Sequence, residues 1–251
     1  IVTWFTFLLN DWIRPYRNYI YNHRIEGINF VQGQSPWGLK KSNIRYFVTR
    51  EHKINTDKIA EFGIECNSKS GGIVLDRLKS LYEHIYIDEV QDLAGYDLEL
   101  LEILFKSSIS MTLIGDYRQV TYLTNHSNKN KKYRGVNIIE KFREWANKKM
   151  IDLQEMKHSY RCNQLICDFA DQIYPHAPKT TSKNLINTKH DGLFIVKLND
   201  VKSYIEQFSP QILRYDKRTT CQGYPALNFG DSKGLTFDRI LIFPNGPLKK
   251  L

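Results

Sequence analysis

The chain has 251 residues, 41% of them hydrophobic, which is enough to bury the core of one large domain or two small ones. A formal net charge of +9 favours a polyanionic partner, either nucleic acid or an acidic membrane surface. No apolar run is long enough to span a membrane, and Cys66, Cys162, Cys167 and Cys221 form no C-x-x-C pair, which argues against a zinc site or disulfide framework and for reduced thiols in a cytoplasmic protein.

In chain order, Ile1-Val2-Thr3-Trp4-Phe5 is apolar but lacks the basic flank and small-residue cleavage site of a signal peptide. Apolar residues at 5, 8, 9, 12 and 13 predict an amphipathic helix over Phe5 to Ile13, ended by Arg14-Pro15. Residues 16–72 are polar and rich in glycine, and read as an insertion with little regular core. A helix through Leu75, Leu78 and Leu81 then leads into a strand at Ile85 to Ile87. A second helix carries Leu98, Leu101, Leu104 and Phe105 on one face, followed by a strand at Met111 to Ile114. After the basic loop Lys129, Lys131, Lys132 and Arg134 comes a strongly periodic helix with Ile138, Ile139, Phe142, Trp145 and Ala146, then a short strand at Ile151 to Leu153. The second half repeats the alternation. A helix over Asn163 to Tyr174 is expected to turn Leu165, Ile166, Phe169, Ala170 and Ile173 inward, with strands at Leu193 to Val196, Ile212 to Tyr215 and Arg239 to Phe243. Such alternation predicts parallel sheet covered by helices.

The chemistry concentrates in Asp88-Glu89-Val90-Gln91-Asp92, at the end of the first apolar strand. Ligands of parallel sheets collect at the carboxyl ends of strands. Asp88 suits Mg²⁺, which favours few carboxylates plus water and phosphate oxygens, and Glu89 suits a base that orients a water for attack on a γ-phosphate. The other reading of the run is an acidic helix start, which the macrodipole favours. One strand–helix unit later stands Gly115-Asp116-Tyr117-Arg118-Gln119, where Gly115 permits a tight turn and Gln119 could sense a γ-phosphate. By itself that segment is an ordinary strand-ending turn.

Together these runs resemble motifs of the UvrD/Rep-like superfamily 1 helicases. The acidic run is similar to their Walker B motif and Gly115 to Gln119 to their third motif. His158-Ser159-Tyr160-Arg161 is similar to the fourth, Ser232-Lys233-Gly234-Leu235 to the fifth, and Thr3-Trp4-Phe5-Thr6-Phe7 to a Thr-Phe segment that touches single-stranded DNA. The order of five motifs makes the resemblance more specific than any one of them. It implies an α/β fold of two RecA-like parallel-sheet domains of the P-loop NTPase type. The first would occupy residues 1–155, truncated at its start and carrying the insertion, and the second residues 156–251. It implies an ATP-dependent DNA helicase or translocase with ATP in the cleft between the domains. Asp88 would be the Mg²⁺ ligand, Glu89 the base, Gln119 the nucleotide-coupled glutamine and Arg161 the γ-phosphate arginine. Lys233 and Gly234 would lie near nucleotide and DNA backbone, and Thr3, Trp4, Phe5 and Tyr122 on the DNA. Single-stranded DNA is the implied partner, beside a nuclease or other complex subunit. Tyr122 reads equally well as a base-stacking platform or a core tyrosine.

The chain also departs from the family pattern. Thr236 stands where the family has Glu, Asn228 and Gly230 where it often has Thr and His, and Thr124 where it has Trp. No Gly is followed directly by Lys, so the phosphate loop G-x-x-x-x-G-K-[ST] is absent. The nearest approach, Gly33 to Ser42, has an extra residue and a proline at Pro36. It would not form an unbroken cradle of amides. The expectation is a fragment that begins after that loop, ends before the last motif and hydrolyses ATP poorly or not at all by itself. The alternative is a non-catalytic DNA-binding subunit with a degenerate helicase fold.

Overall fold

A computed structural model describes residues 1–33 and 38–250; Pro36 of the rejected loop lies outside the described residues. The chain divides into two compact units, Ile1–Leu153 and Gln154–Leu251.

In the first unit, helix α1 (Trp4–Phe7) continues directly into a π-helical stretch, Leu8–Ile13. Thr3 caps it, its hydroxyl accepting from the Thr6 N–H at 3.2 Å. The periodicity expected over residues 5–13 is realised, with Phe5, Leu8, Leu9, Trp12 and Ile13 buried. Strands β1 (Gly27–Asn29) and β2 (Lys53–Asn55) pair in parallel, and β2 runs into helix α2 (Thr56–Lys69). The expectation of little regular core over 16–72 is therefore corrected. Helix α2 buries Ile59, Ala60, Phe62 and Cys66, and packs close to the π-helical stretch at Gly63. The Trp12 indole donates to the Gly63 carbonyl at 2.7 Å, and a Cβ at residue 63 would stand 3.0 Å from the Trp12 ring.

Helix α3 (Ile73–Leu81) starts after two left-handed glycines, Gly71 and Gly72. Strand β3 (His84–Ile87), helix α4 (Tyr96–Phe105) and strand β4 (Ser110–Leu113) then form one parallel strand–helix–strand unit, in register from His84↔Ser110 to Ile87↔Leu113. Helix α4 anchors it through Leu98, Leu100, Leu101 and Leu104, each worth about 1.5–3 kcal/mol when fully buried. Helix α5 (Ile138–Asn147) packs through Ile138 and Trp145, whose indole donates to Glu102 at 2.7 Å. The strand expected at Ile151 to Leu153 is absent; those residues are irregular.

In the second unit, β5 (His158–Ser159) pairs in parallel with β6 (Thr181–Ser182), across helix α6 (Gln164–Ile173). Helix α7 (Val201–Phe208) precedes β7 (Gln211–Arg214), the centre of a three-stranded parallel sheet of order β8-β7-β9, with β8 at Leu227–Asn228 and β9 at Ile240–Phe243. Two expectations are corrected here. Leu165, Ile166, Phe169, Ala170 and Ile173 of α6 are exposed, and only Cys167 of that helix is buried. Residues 193–196 are irregular rather than a strand. The fold class is mixed α/β with small parallel sheets.

Candidate functional site

The parallel register of β3 and β4 brings two loops together at the carboxyl ends of the strands. One more step of the ladder, from the Ile114 N–H to the Ile87 carbonyl at 2.8 Å, extends the pairing, and the Val90 N–H then donates back to the Ile114 carbonyl at 3.0 Å. Asp88-Glu89 and Gly115-Asp116 therefore leave the sheet side by side. Asp88 is exposed, and its Oδ1 accepts the Glu89 N–H at 2.8 Å. Glu89 takes left-handed backbone angles, φ 54° and ψ 37°, which a residue with a Cβ rarely adopts. The turn sends the chain into a short 3-10 segment, Val90–Asp92.

Gln91 is fully buried between the loops. Its amide nitrogen donates to Glu89 Oε2, and its Oε1 accepts the Asp116 N–H at 3.1 Å. Gly115 lies against it. A Cβ there would stand 2.2 Å from Gln91 Oε1 and 3.2 Å from the Val90 nitrogen, so the position admits no side chain as the loops stand. Gly115 thus serves close approach of the two loops.

Asp116 organises the second loop. Its carboxylate accepts from Arg118 Nε at 2.9 Å and Nη2 at 3.1 Å, and from the Gln119 amide at 2.9 Å. Burial alone would raise the Asp116 carboxyl; the hydrogen bonds from Arg118 and Gln119 outweigh it and hold the group below the usual range. Gln119 is exposed and oriented by this contact. Asp88, Glu89 and Gln119 therefore belong to one constellation, with Gln91 as its centre.

The other residues of the first unit serve packing as well. Thr3 is exposed and caps α1. Phe5 is 8% exposed, edge-on to Phe30 with ring centroids 6.2 Å apart. The Trp4 indole donates to Asp97 Oδ1 at 2.8 Å. Tyr122 is 49% exposed and lines an open depression of about 480 Å³ with Val31, Gln32, Val120 and His126. Thr124, at the position of the family's Trp, is a buried polar latch. Its hydroxyl bonds to Asp97 Oδ2 at 2.5 Å and the Asp92 carbonyl at 3.1 Å, and accepts the Ala94 N–H at 3.1 Å. A Trp cannot reproduce those three contacts.

In the second unit, Arg161 is exposed, and its carbonyl accepts from the Asn184 amide at 2.8 Å. Ser232 to Leu235 form a turn closed by the Leu235 N–H to the Ser232 carbonyl at 3.1 Å, with Gly234 at φ +79°. A type II turn requires this left-handed angle at its third position, which explains the glycine. Lys233 is half-buried within it.

A single exposed carboxylate at a strand end suits Mg²⁺, which keeps several waters and takes its other ligands from phosphates. Among the described residues no group of three or more His, Cys, Asp or Glu could enclose a metal ion. None of their helices is long and apolar enough to cross a membrane. Sequence reasoning gave no role to Gln91 or Asp97, and took Thr124 only as a departure from the family pattern. Only Gln91 carried a signal, as the polar residue inside the acidic run.

Residues 48–131, which span both loops, match the family model of the UvrD/REP helicase N-terminal domain. The RecBCD enzyme subunit RecB of Borreliella burgdorferi is similar at 27% identity over 140 residues, covering 50% of this chain and 12% of that protein. The chain therefore matches a small part of the length of this relative. The acidic run and the Gly-Asp-Tyr-Arg-Gln loop both lie inside the matched span, so this segment of the chain is similar to the UvrD/REP helicase N-terminal domain.

Proposed function

We propose that the chain is part of the motor core of an ATP-dependent DNA helicase or translocase. The observation that carries this reading is the pair Asp88 and Glu89 at the carboxyl end of β3, joined through Gln91 to the loop that presents Gln119. Asp88 would hold Mg²⁺, whose contribution is neutralisation of phosphate charge. Glu89 orients a water and takes its proton; Gln119 answers to the γ-phosphate. By the resemblance of their motifs, Arg161 would offer a guanidinium to a γ-phosphate, and Lys233 and Gly234 would serve nucleotide and DNA backbone. Residues 1–155 and 156–251 are read as partial RecA-like domains. Single-stranded DNA is the partner, bound by Tyr122, Thr3 and Lys233, with Trp4 and Phe5 shaping the surface from beneath. A nuclease or other complex subunit is a further partner, and the setting is cytoplasmic.

The test is Glu89→Gln in the full-length gene product, read as DNA-stimulated ATP hydrolysis. Turnover is expected to vanish while ATP binding persists; unchanged turnover sinks the reading. A second reading, a non-catalytic DNA-binding subunit, is favoured by the absence of G-x-x-x-x-G-K-[ST] from these 251 residues. It predicts binding of single-stranded DNA without hydrolysis in both the wild-type gene product and Glu89→Gln.

A further inference from the structure

We propose that Gln91 is a positioning residue for Glu89, locking the carboxylate to the loop that carries Gln119. This rests on the hydrolytic reading of the site. The primary amide has one acceptor and one donor end, and both are committed. Oε1 faces the Asp116 N–H, which can only donate, and Nε2 faces the Glu89 carboxylate, which accepts. One orientation of the amide satisfies both neighbours, so its direction follows from its partners. The side chain is fully buried and Gly115 lies against it, so the amide is confined on that side.

Glu89 needs such a partner. Its backbone sits in the left-handed region, and its side chain lies at the edge of solvent, half-buried. A base there must hold one direction to orient a water. The Gln91 N–H holds it, and the Asp116 N–H fixes Gln91 in turn. Asp116 also receives the Gln119 amide, so the Gln91 side chain links the second loop to Glu89. Gln91 touches neither water nor phosphate in this role; it acts through Glu89.

The experiment uses Gln91→Glu and Gln91→Ala in the full-length gene product, with Glu89→Gln alongside. Gln91→Glu keeps an oxygen toward the Asp116 N–H but turns a second oxygen on Glu89; Gln91→Ala removes both contacts. Both variants are expected to lower kcat for DNA-stimulated ATP hydrolysis by about 10- to 100-fold, leaving KM for ATP little changed. Loss in KM with kcat preserved overturns the proposal. So does wild-type turnover in both Gln91 variants when Glu89→Gln is inactive, an outcome that leaves the hydrolytic reading standing. Wild-type turnover in Glu89→Gln instead removes that reading. The contact itself is then judged by NMR on this chain. Glu89→Ala is expected to shift the Gln91 side-chain amide resonances and speed their exchange with solvent, and unmoved resonances overturn the lock.

Discussion

Asp97 is completely buried, and its carboxylate is met by the Trp4 indole and the Thr124 hydroxyl, both neutral donors. Burial pushes its pKa up from 3.8 to about 6; the hydrogen bonds from Thr124, Trp4 and the Ala94 N–H pull the other way, and the nearby Asp57 charge adds to the rise. The folded state thus binds a proton more tightly than the unfolded chain does. Stability from this group is fully present below about pH 4 and is lost as pH rises through about 6. A shift of about two units corresponds to roughly 3 kcal/mol. Asp97→Asn is expected to remove this slope, so that its stability relative to wild type improves between pH 4 and pH 7 by roughly that amount. Urea unfolding at the two pH values measures it, and parallel pH profiles would refute it. At Gly115 the constraint is space alone. Gly115→Ala is expected to destabilise the fold by about 1–3 kcal/mol, as overpacking does, because the methyl displaces the Gln91 amide and meets the Val90 backbone. A melting temperature equal to wild type would contradict that.

Helix α2 shows what a sequence hides at the scale of an element. Its first turn buries Asp57 and Lys58, each 1% exposed, as an ion pair at 3.1 Å, with the ammonium 4.5 Å from the Tyr46 ring centroid. Asp57 Oδ1 also accepts the His126 N–H at 2.5 Å. One turn on, Glu61 accepts from the Tyr46 hydroxyl at 2.8 Å and pairs with Lys41 at 3.1 Å. Read by polarity, these charges belong to a solvated face, and so residues 16–72 looked like an insertion. Asp57 and Lys58 meet each other, but the burial also needs His126, Tyr46 and Lys41, partners distant in sequence that no local pattern reports. The strand–loop pairs around Asp88 and Gly115 were legible for the opposite reason: short apolar runs ending in Asp-Glu and Gly-Asp are local signals. Gln91, inside one of those runs, became meaningful only when β4 brought Asp116 beside it. Breaking the α2 pair from one side should cost more than removing it. Lys58→Met leaves Asp57 uncompensated and is expected to destabilise by about 3–5 kcal/mol, whereas the Asp57→Asn, Lys58→Met double variant recovers a large part of that loss. Equal denaturation midpoints for the single and double variants would show that the charge itself is not the cost.

At the scale of the whole molecule, the two units differ in how much they bury. The first unit holds the contiguous core, from Phe5 through Trp12, Phe62 and Leu101 to Trp145. In the second, the buried hydrophobic residues among those described are Cys167, Val201, Ile212, Leu213 and Cys221. Helix α6 has an apolar face as regular as that of α5, yet Leu165 and Ile173 are exposed while Ile138 and Trp145 are not. Periodicity states which face of a helix is apolar; it does not state whether anything covers it. That is why the inward assignment of α6 failed although the helix itself formed where expected. Local opening follows burial, because an element with few apolar contacts loses little on opening. Amide hydrogen exchange should therefore separate the two halves of this chain. Residues 96–105 of α4, with four fully or nearly fully buried leucines, are expected to exchange only through large-scale unfolding of the first unit. Residues 164–173 of α6 are expected to exchange through local opening, orders of magnitude faster, and with little dependence on substitutions that destabilise the first unit, such as Lys58→Met. Protection of α6 equal to that of α4, falling in step with it in Lys58→Met, would mean that the second unit draws its stability from the first and does not open as a separate unit.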